Sequence, residues 1–211
     1  MKILRAYVIP MALVFAISGS AAWGSTLYSE TASGDLSNSQ SAPTSVTAVV
    51  GTNSISGTVG NADSQDWITI TVPAGAQLSS FILSSYASAD SQGFMGVQAG
   101  SSFLGDPFAA GSYLGYVHYG SLAQNGALAP TNLVGADLLP LMGNTSLAAG
   151  STGFTTPLGA GQYTFLIQQL GSATTYQFDV GVTAVAAPEV TTLGMLGVGA
   201  TALLLKRRRI V

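Results

Sequence analysis

Short runs that alternate apolar and polar side chains recur along this chain, and a period of two is the pattern of a strand with its two faces in different surroundings. In Asp66-Trp67-Ile68-Thr69-Ile70-Thr71-Val72, the residues Ile68, Ile70 and Val72 share one face while Trp67, Thr69 and Thr71 share the other. Leu78 to Tyr86 makes a second strand after the turn Pro73-Ala74-Gly75-Ala76, and Tyr113 to Tyr119 carries a third alternation. Gly161 to Ile167 and Tyr176 to Val182 form the clearest pair, separated by a turn around Gly171. There Tyr176, Phe178, Val180 and Val182 define a buried face, and Gln177, Asp179 and Thr183 turn to solvent. The expected fold is all-β: a single jelly-roll-like β-sandwich over residues 46–185, closed by that last hairpin and flanked by an N-terminal signal helix and a C-terminal hydrophobic helix. Residues 23–45, rich in small polar side chains and without periodicity, are expected as a flexible lead-in. Residues 99–156 are less regular, and Leu138 to Met142 reads as either a short helical turn or a buried loop.

Charge is distributed more tellingly than the net value of −3 suggests. The six basic residues are Lys2, Arg5, Lys206, Arg207, Arg208 and Arg209, so no Lys or Arg lies between Ala6 and Leu205, whereas acids occur from Glu30 to Glu189. A domain without Lys or Arg lacks the groups that neutralise phosphates, which excludes nucleic acid as a partner. It also lacks the forks and point charges that usually hold phosphorylated cofactors. Cations, neutral sugars and uncharged protein surfaces remain as ligands. With no cysteine in the chain, disulfides, thiolate metal sites and thiol chemistry are excluded as well.

Both ends carry address-like patterns. Lys2 and Arg5, an apolar run from Ala6 to Ile17 and the small residues Ser18 to Ala22 follow the order of a secretory signal peptide spanning residues 1–22, with cleavage expected after Ala22. At the other end Ala187-Pro188-Glu189-Val190 precedes an apolar segment, residues 190–205, and the basic cluster Lys206, Arg207, Arg208 and Arg209. As a helix those sixteen residues rise about 24 Å, short of a full hydrocarbon core of about 30 Å. The basic cluster orients such a segment with its C-terminus in the cytoplasm, which places the preceding domain outside, as the signal peptide also requires. The Pro-Glu pair, the glycine-bearing apolar segment and the Arg-rich end together resemble the PEP-CTERM sorting signal over residues 187–211. That resemblance implies processing near Pro188 and Glu189 by a membrane-embedded exosortase, transient anchoring in the inner membrane, and release to the cell surface or exterior in bacteria that make exopolysaccharide. Val190 stands where that family usually has a second proline, and a plain C-terminal membrane anchor is the alternative.

A second resemblance covers residues 46–184. Gly57-Thr58-Val59, Asp63, Asp66-Trp67, Val72-Pro73-Ala74-Gly75, Gly159-Ala160-Gly161-Gln162-Tyr163 and Tyr176-Gln177-Phe178 are similar to the bacterial pre-peptidase C-terminal (PPC) domain, interrupted by a middle insertion. The resemblance implies a small β-sandwich that serves as an accessory or binding module and brings no catalytic residues.

Few residues carry candidate chemistry. His118 is the sole histidine and no Gly-x-Ser-x-Gly elbow accompanies it, so a serine triad has little support, and a structural role on an aromatic strand is the ordinary reading. One His and no Cys also fall short of a zinc or iron site. Calcium differs, because it takes carboxylate and carbonyl oxygens: Asn61, Asp63 and Asp66 sit in one short loop and are the candidate calcium ligands, although Asn and Asp also occur in turns for backbone reasons alone. Tyrosines and Trp67 on strands offer a sugar-stacking platform or, more commonly, core. The expected function is that of an exported, non-catalytic surface or extracellular-matrix protein associated with exopolysaccharide or with other surface proteins. The alternative is a secreted polymer-degrading or polymer-modifying enzyme with an unrecognised carboxylate site, and two carboxylates converging in a cleft would favour it.

Overall fold

The computed structural model describes residues 24–186. Ala22, Pro188, Glu189, Lys206, Arg207, Arg208 and Arg209, and with them the signal and sorting segments, lie outside the described residues. Within the described residues the chain is mostly β, with strands β1 (Ser25–Ser29), β2 (Thr44–Thr47), β3 (Gly51–Val59), β4 (Gln65–Val72), β5 (Ala76–Ala87), β6 (Gly93–Ala99), β7 (Gly115–Tyr119), β8 (Gly161–Gln168) and β9 (Thr174–Ala184). Two short helices, α1 (Glu30–Ser33) and α2 (Leu139–Gly143), complete the regular structure with a 3₁₀ turn at Ala110–Ser112. The segment from Leu138 to Met142 is thus a short helical turn, and Leu139 and Met142 are its buried residues.

The strands form two sheets, ordered β1-β3-β9-β5 and β2-β4-β8-β6-β7. Their inner faces share one core. Phe81 of the first sheet stacks on Phe165 of the second with ring centroids 4.9 Å apart, and Phe178 meets Tyr119 edge-on at 5.3 Å. The alternations place their residues as their period demands: Ile68, Ile70 and Val72 of β4 and Tyr176, Phe178, Val180 and Val182 of β9 all belong to this core.

Two expectations are corrected. β8 and β9 are not a hairpin, because β8 pairs with β4 and β6 whereas β9 pairs with β3 and β5 in the other sheet. The turn at Gly171 therefore carries the chain from one sheet to the other. Each of these strands is flanked on both edges, so most of their backbone groups are satisfied by other strands. The flexible lead-in is also corrected, since the domain begins at Ser25 and not at Val46. β1 pairs in parallel with β3 at the edge of one sheet, and β2 pairs in parallel with β4 at the edge of the other. Strands of five and four residues at sheet edges need little apolar alternation, because the sheet supplies the hydrogen-bond template. Between β1 and β2 the chain runs over the end of the sandwich, where Leu36 is fully buried and the Trp67 N–H donates to the Ser37 carbonyl at 2.8 Å.

Trp67 has a further consequence for the fold. Its face of β4 is covered as well, by the irregular stretch that follows β6. Trp67, Phe103, Tyr113 and Leu166 form a second buried cluster outside the sandwich, with Phe103 4.9 Å from both Trp67 and Tyr113. Gly96 makes this possible: a Cβ there would stand 2.2 Å from the Tyr113 ring, so only glycine lets that ring come so close to the sheet.

Candidate cation site

The alternation that turns Ile68, Ile70 and Val72 inward turns Asp66 inward too, at the first full turn of the pleat in β4. A carboxylate therefore enters the space between the sheets at the end of the core, and Asp66 is 0% exposed. Across the gap, Tyr176 of β9 donates its hydroxyl to Asp66 Oδ2 at 2.8 Å. Asp66 Oδ1 is buried without a hydrogen-bond partner.

The segment joining β1 to β2 brings two more acids to the same place. Glu30 opens α1, and its Oε2 accepts from the Thr58 N–H at 2.7 Å and the Thr58 hydroxyl at 3.3 Å, while Oε1 accepts from the Leu36 N–H at 3.3 Å. Gly57 creates the space for it, because a Cβ at that position would lie 2.5 Å from the Glu30 carboxyl carbon and 2.6 Å from the Tyr176 hydroxyl. Asp35 completes the group: one carboxylate oxygen each from Glu30, Asp35 and Asp66 lie within 4.8 Å of one another. Glu30 and Asp35 also line an open cleft of about 400 Å³ with Ser56, Thr58, Thr175 and Tyr176.

The electrostatics follow from burial among like charges. Desolvation raises the Asp66 pKa to about 8 against the lowering effect of the Tyr176 hydrogen bond, and the charges of Glu30, Asp63 and Asp35 push it the same way as burial does. Burial raises Glu30 as well, opposed by the bonds from Thr58 and Leu36. Asp63 is raised by burial and by Asp35, with Asn38 pulling in the opposite direction. No Lys or Arg exists in this part of the chain to relieve the repulsion. Two things can: a proton on Asp66, or a cation.

A hard cation fits this donor set. Oxygens within 4.8 Å of one another can share an ion at the 2.3–2.6 Å bond lengths of calcium, and every donor here is a carboxylate of the kind calcium prefers. Of the sequence-predicted ligands, Asp66 is at the centre of the cluster and Asp63 adjoins it through Asp35. Asn61 has a different task. It is an exposed turn residue with φ of +56°, whose N–H donates to the Gly171 carbonyl at 2.8 Å, so its place in the loop is explained by the backbone. Glu30 and Asp35 were not legible as members of this cluster, because their segment has no periodicity and meets Asp66 through the parallel edge pairings. His118 stands apart on β7, half-buried 5.6 Å from the Phe94 ring, with its backbone N–H donating to Asn125 Oδ1, and burial lowers the pKa of its imidazole.

No protein-family model matches this chain, and neither the curated proteins nor the solved structures return a significant match.

Proposed function

We propose that this chain is an exported, non-catalytic surface or matrix protein that binds a calcium ion at the end of its sandwich and associates with exopolysaccharide. The observation that carries the calcium reading is the convergence of Glu30, Asp35 and Asp66 in a region of the chain without a single basic side chain, with one buried Asp66 oxygen left unpartnered. A calcium ion there joins α1 and the following loop to β4, and so fastens the N-terminal segment across both sheets. The jelly-roll-like arrangement, the signal and hydrophobic helices, export through residues 1–22, and exosortase processing at Pro188 and Glu189 belong to the same proposal and rest on the sequence patterns.

Calcium titration of the domain tests the site. At a hundredfold excess over Kd, a ligand adds about 2.7 kcal/mol, which for a domain of this size raises Tm by about 5–10 °C. Asp66→Asn should abolish that rise while stabilising the calcium-free protein at pH 8, since the repelled charge is gone. A Tm indifferent to calcium in the wild type overturns the reading. For the addresses, intact mass of the exported protein decides: a mature chain that still contains Leu196 to Arg209 refutes processing.

The second reading, a polymer-degrading or polymer-modifying enzyme, is favoured by the same cleft, because Glu30 and Asp35 converge on its wall. Against it, the Glu30 carboxylate is committed to the Thr58 and Leu36 backbone, and Asp66 has no surface for a substrate to reach. Polysaccharide hydrolysis abolished by Asp35→Asn would establish this reading in place of the first.

A further inference from the structure

The outer face of the second sheet is only half covered. Register places Trp67, Leu166, Gly96 and Tyr116 in one row across β4, β8, β6 and β7, and Gln168, Phe94 and His118 in a neighbouring row across β8, β6 and β7. The loop that carries Phe103 and Tyr113 closes over Trp67 and Leu166, whereas Phe94, Tyr116 and His118 remain partly open. Two hollows of about 260 and 230 Å³ lie along this open part, and both are lined in part by Phe94 and Gln168, so that they adjoin as two segments of a groove. Phe108, 70% exposed, stands at one end and Leu170, 65% exposed, at the other.

Gln168 is the informative residue. It is only 6% exposed, yet its Nε2 is buried without a hydrogen-bond partner. A buried amide donor left unpaired forfeits the hydrogen bond it made to water when unfolded, and an acceptor delivered by a ligand restores one. On either side lie aromatic faces: Phe94 stacks near-parallel on Tyr116 at 5.6 Å with an interplanar angle of 30°. The groove is walled by aromatic, aliphatic and amide side chains and by His118, and none of its lining residues is an Asp, Glu, Lys or Arg.

We infer that this groove binds a chain of neutral sugars, with pyranose rings lying on Phe94 and Phe108 and the Gln168 amide turning toward the groove so that a sugar oxygen accepts from its Nε2. Rings with apolar C–H faces and hydroxyl edges match a surface of aromatic planes and amides, and an elongated groove with an apolar residue at each end suits a polymer better than a single sugar. An apolar peptide would fill the same hollows but need not supply the acceptor that Gln168 lacks. The inference rests on the association with exopolysaccharide proposed above, and names its binding site.

Affinity electrophoresis of the domain in gels containing dextran, laminarin, galactomannan or hydroxyethylcellulose is the test, with alginate as the charged control. At least one neutral polymer should retard the wild type. Phe108→Ser, at an exposed position, and Gln168→Leu, close in volume, should each weaken that retardation at least tenfold, with Tm measured in parallel to certify folding. Retardation by none of the neutral polymers, by alginate alone, or equally in wild type and both folded variants overturns the inference. So does a concentration-dependent dimer lost in Phe108→Ser, which would make the groove a self-association surface. None of these outcomes bears on the intact mass or the calcium response, so the export and cation readings stand or fall separately.

Discussion

Asp66 and Trp67 are consecutive residues of one strand, both 0% exposed, and their surroundings could hardly differ more. Trp67 points away from the sandwich into a layer of rings, where Phe103, Tyr113 and Leu166 remove it from water. Its indole N–H is left without a partner, but the rings repay the burial through contact area. Asp66 points between the sheets, where one bond from Tyr176 is its side chain's only hydrogen bond among the described residues, and two further acids approach it. Burial of the ring is complete in itself, whereas burial of the carboxylate requires a proton or a cation. One strand thus separates a structural layer from a cluster of three acids.

The largest effect expected from this contrast is a pH dependence. Asp66 has a folded pKa of about 8 against an ordinary 3.8, so between those values the folded state holds a proton that the unfolded chain has released. Raising the pH through that window therefore favours unfolding, and calcium-free stability should fall from pH 4 to pH 8 by up to about 1.4 kcal/mol per unit, as read by urea melts. Glu30 and Asp63, both raised, add in the same direction. Saturating calcium should flatten the fall, and a stability that rises with pH would refute the electrostatic account.

Trp67→Ala should come next, destabilising by about 3–5 kcal/mol as expected for a fully buried aromatic. Its pH dependence and calcium response should match those of the wild type, since the ring is on the other side of the strand. If both change, the two faces are coupled and the contrast breaks down. Gly57→Ala should cost about 1–3 kcal/mol, because its methyl group takes the place of the Glu30 carboxyl group. Here the calcium-induced rise in Tm should disappear with the stability, which differential scanning calorimetry with and without EDTA would record. Smallest is Tyr176→Phe, which removes one hydrogen bond to Asp66 and should cost about 1–2 kcal/mol by urea denaturation. It should also extend the pH-dependent fall to higher pH, since the group that lowers the Asp66 pKa is lost.

Much of this architecture was legible in the chain. The alternations at residues 66–72, 78–86, 161–167 and 176–182 fall within β4, β5, β8 and β9, because half-buried strands must separate their faces. β6 escaped notice, since glycines at positions 93 and 96 interrupt its apolar residues for reasons that reside in the rings packed upon them. β1 and β2 escaped because edge strands carry a weak pattern. The candidate site was half legible for the same reason: Asp63 and Asp66, in the loop before β4 and at the start of that strand, form a stretch that reads as acidic, while Glu30 and Asp35 sit in the segment those edge strands hold in place. The pairing of β8 with β9 was a false inference from proximity in sequence, which a two-sheet fold does not respect when a turn crosses between the layers.

The sequence by itself determined that the central region is built of strands and that it carries no Lys or Arg of its own to neutralise its acids, since periodicity and composition are properties of the chain alone. Only the tertiary structure decided which acids meet and which half of the aromatic face stays open. Those outcomes depend on the parallel docking of β1 and β2 and on one loop closing over Trp67, which are contacts between residues far apart in sequence.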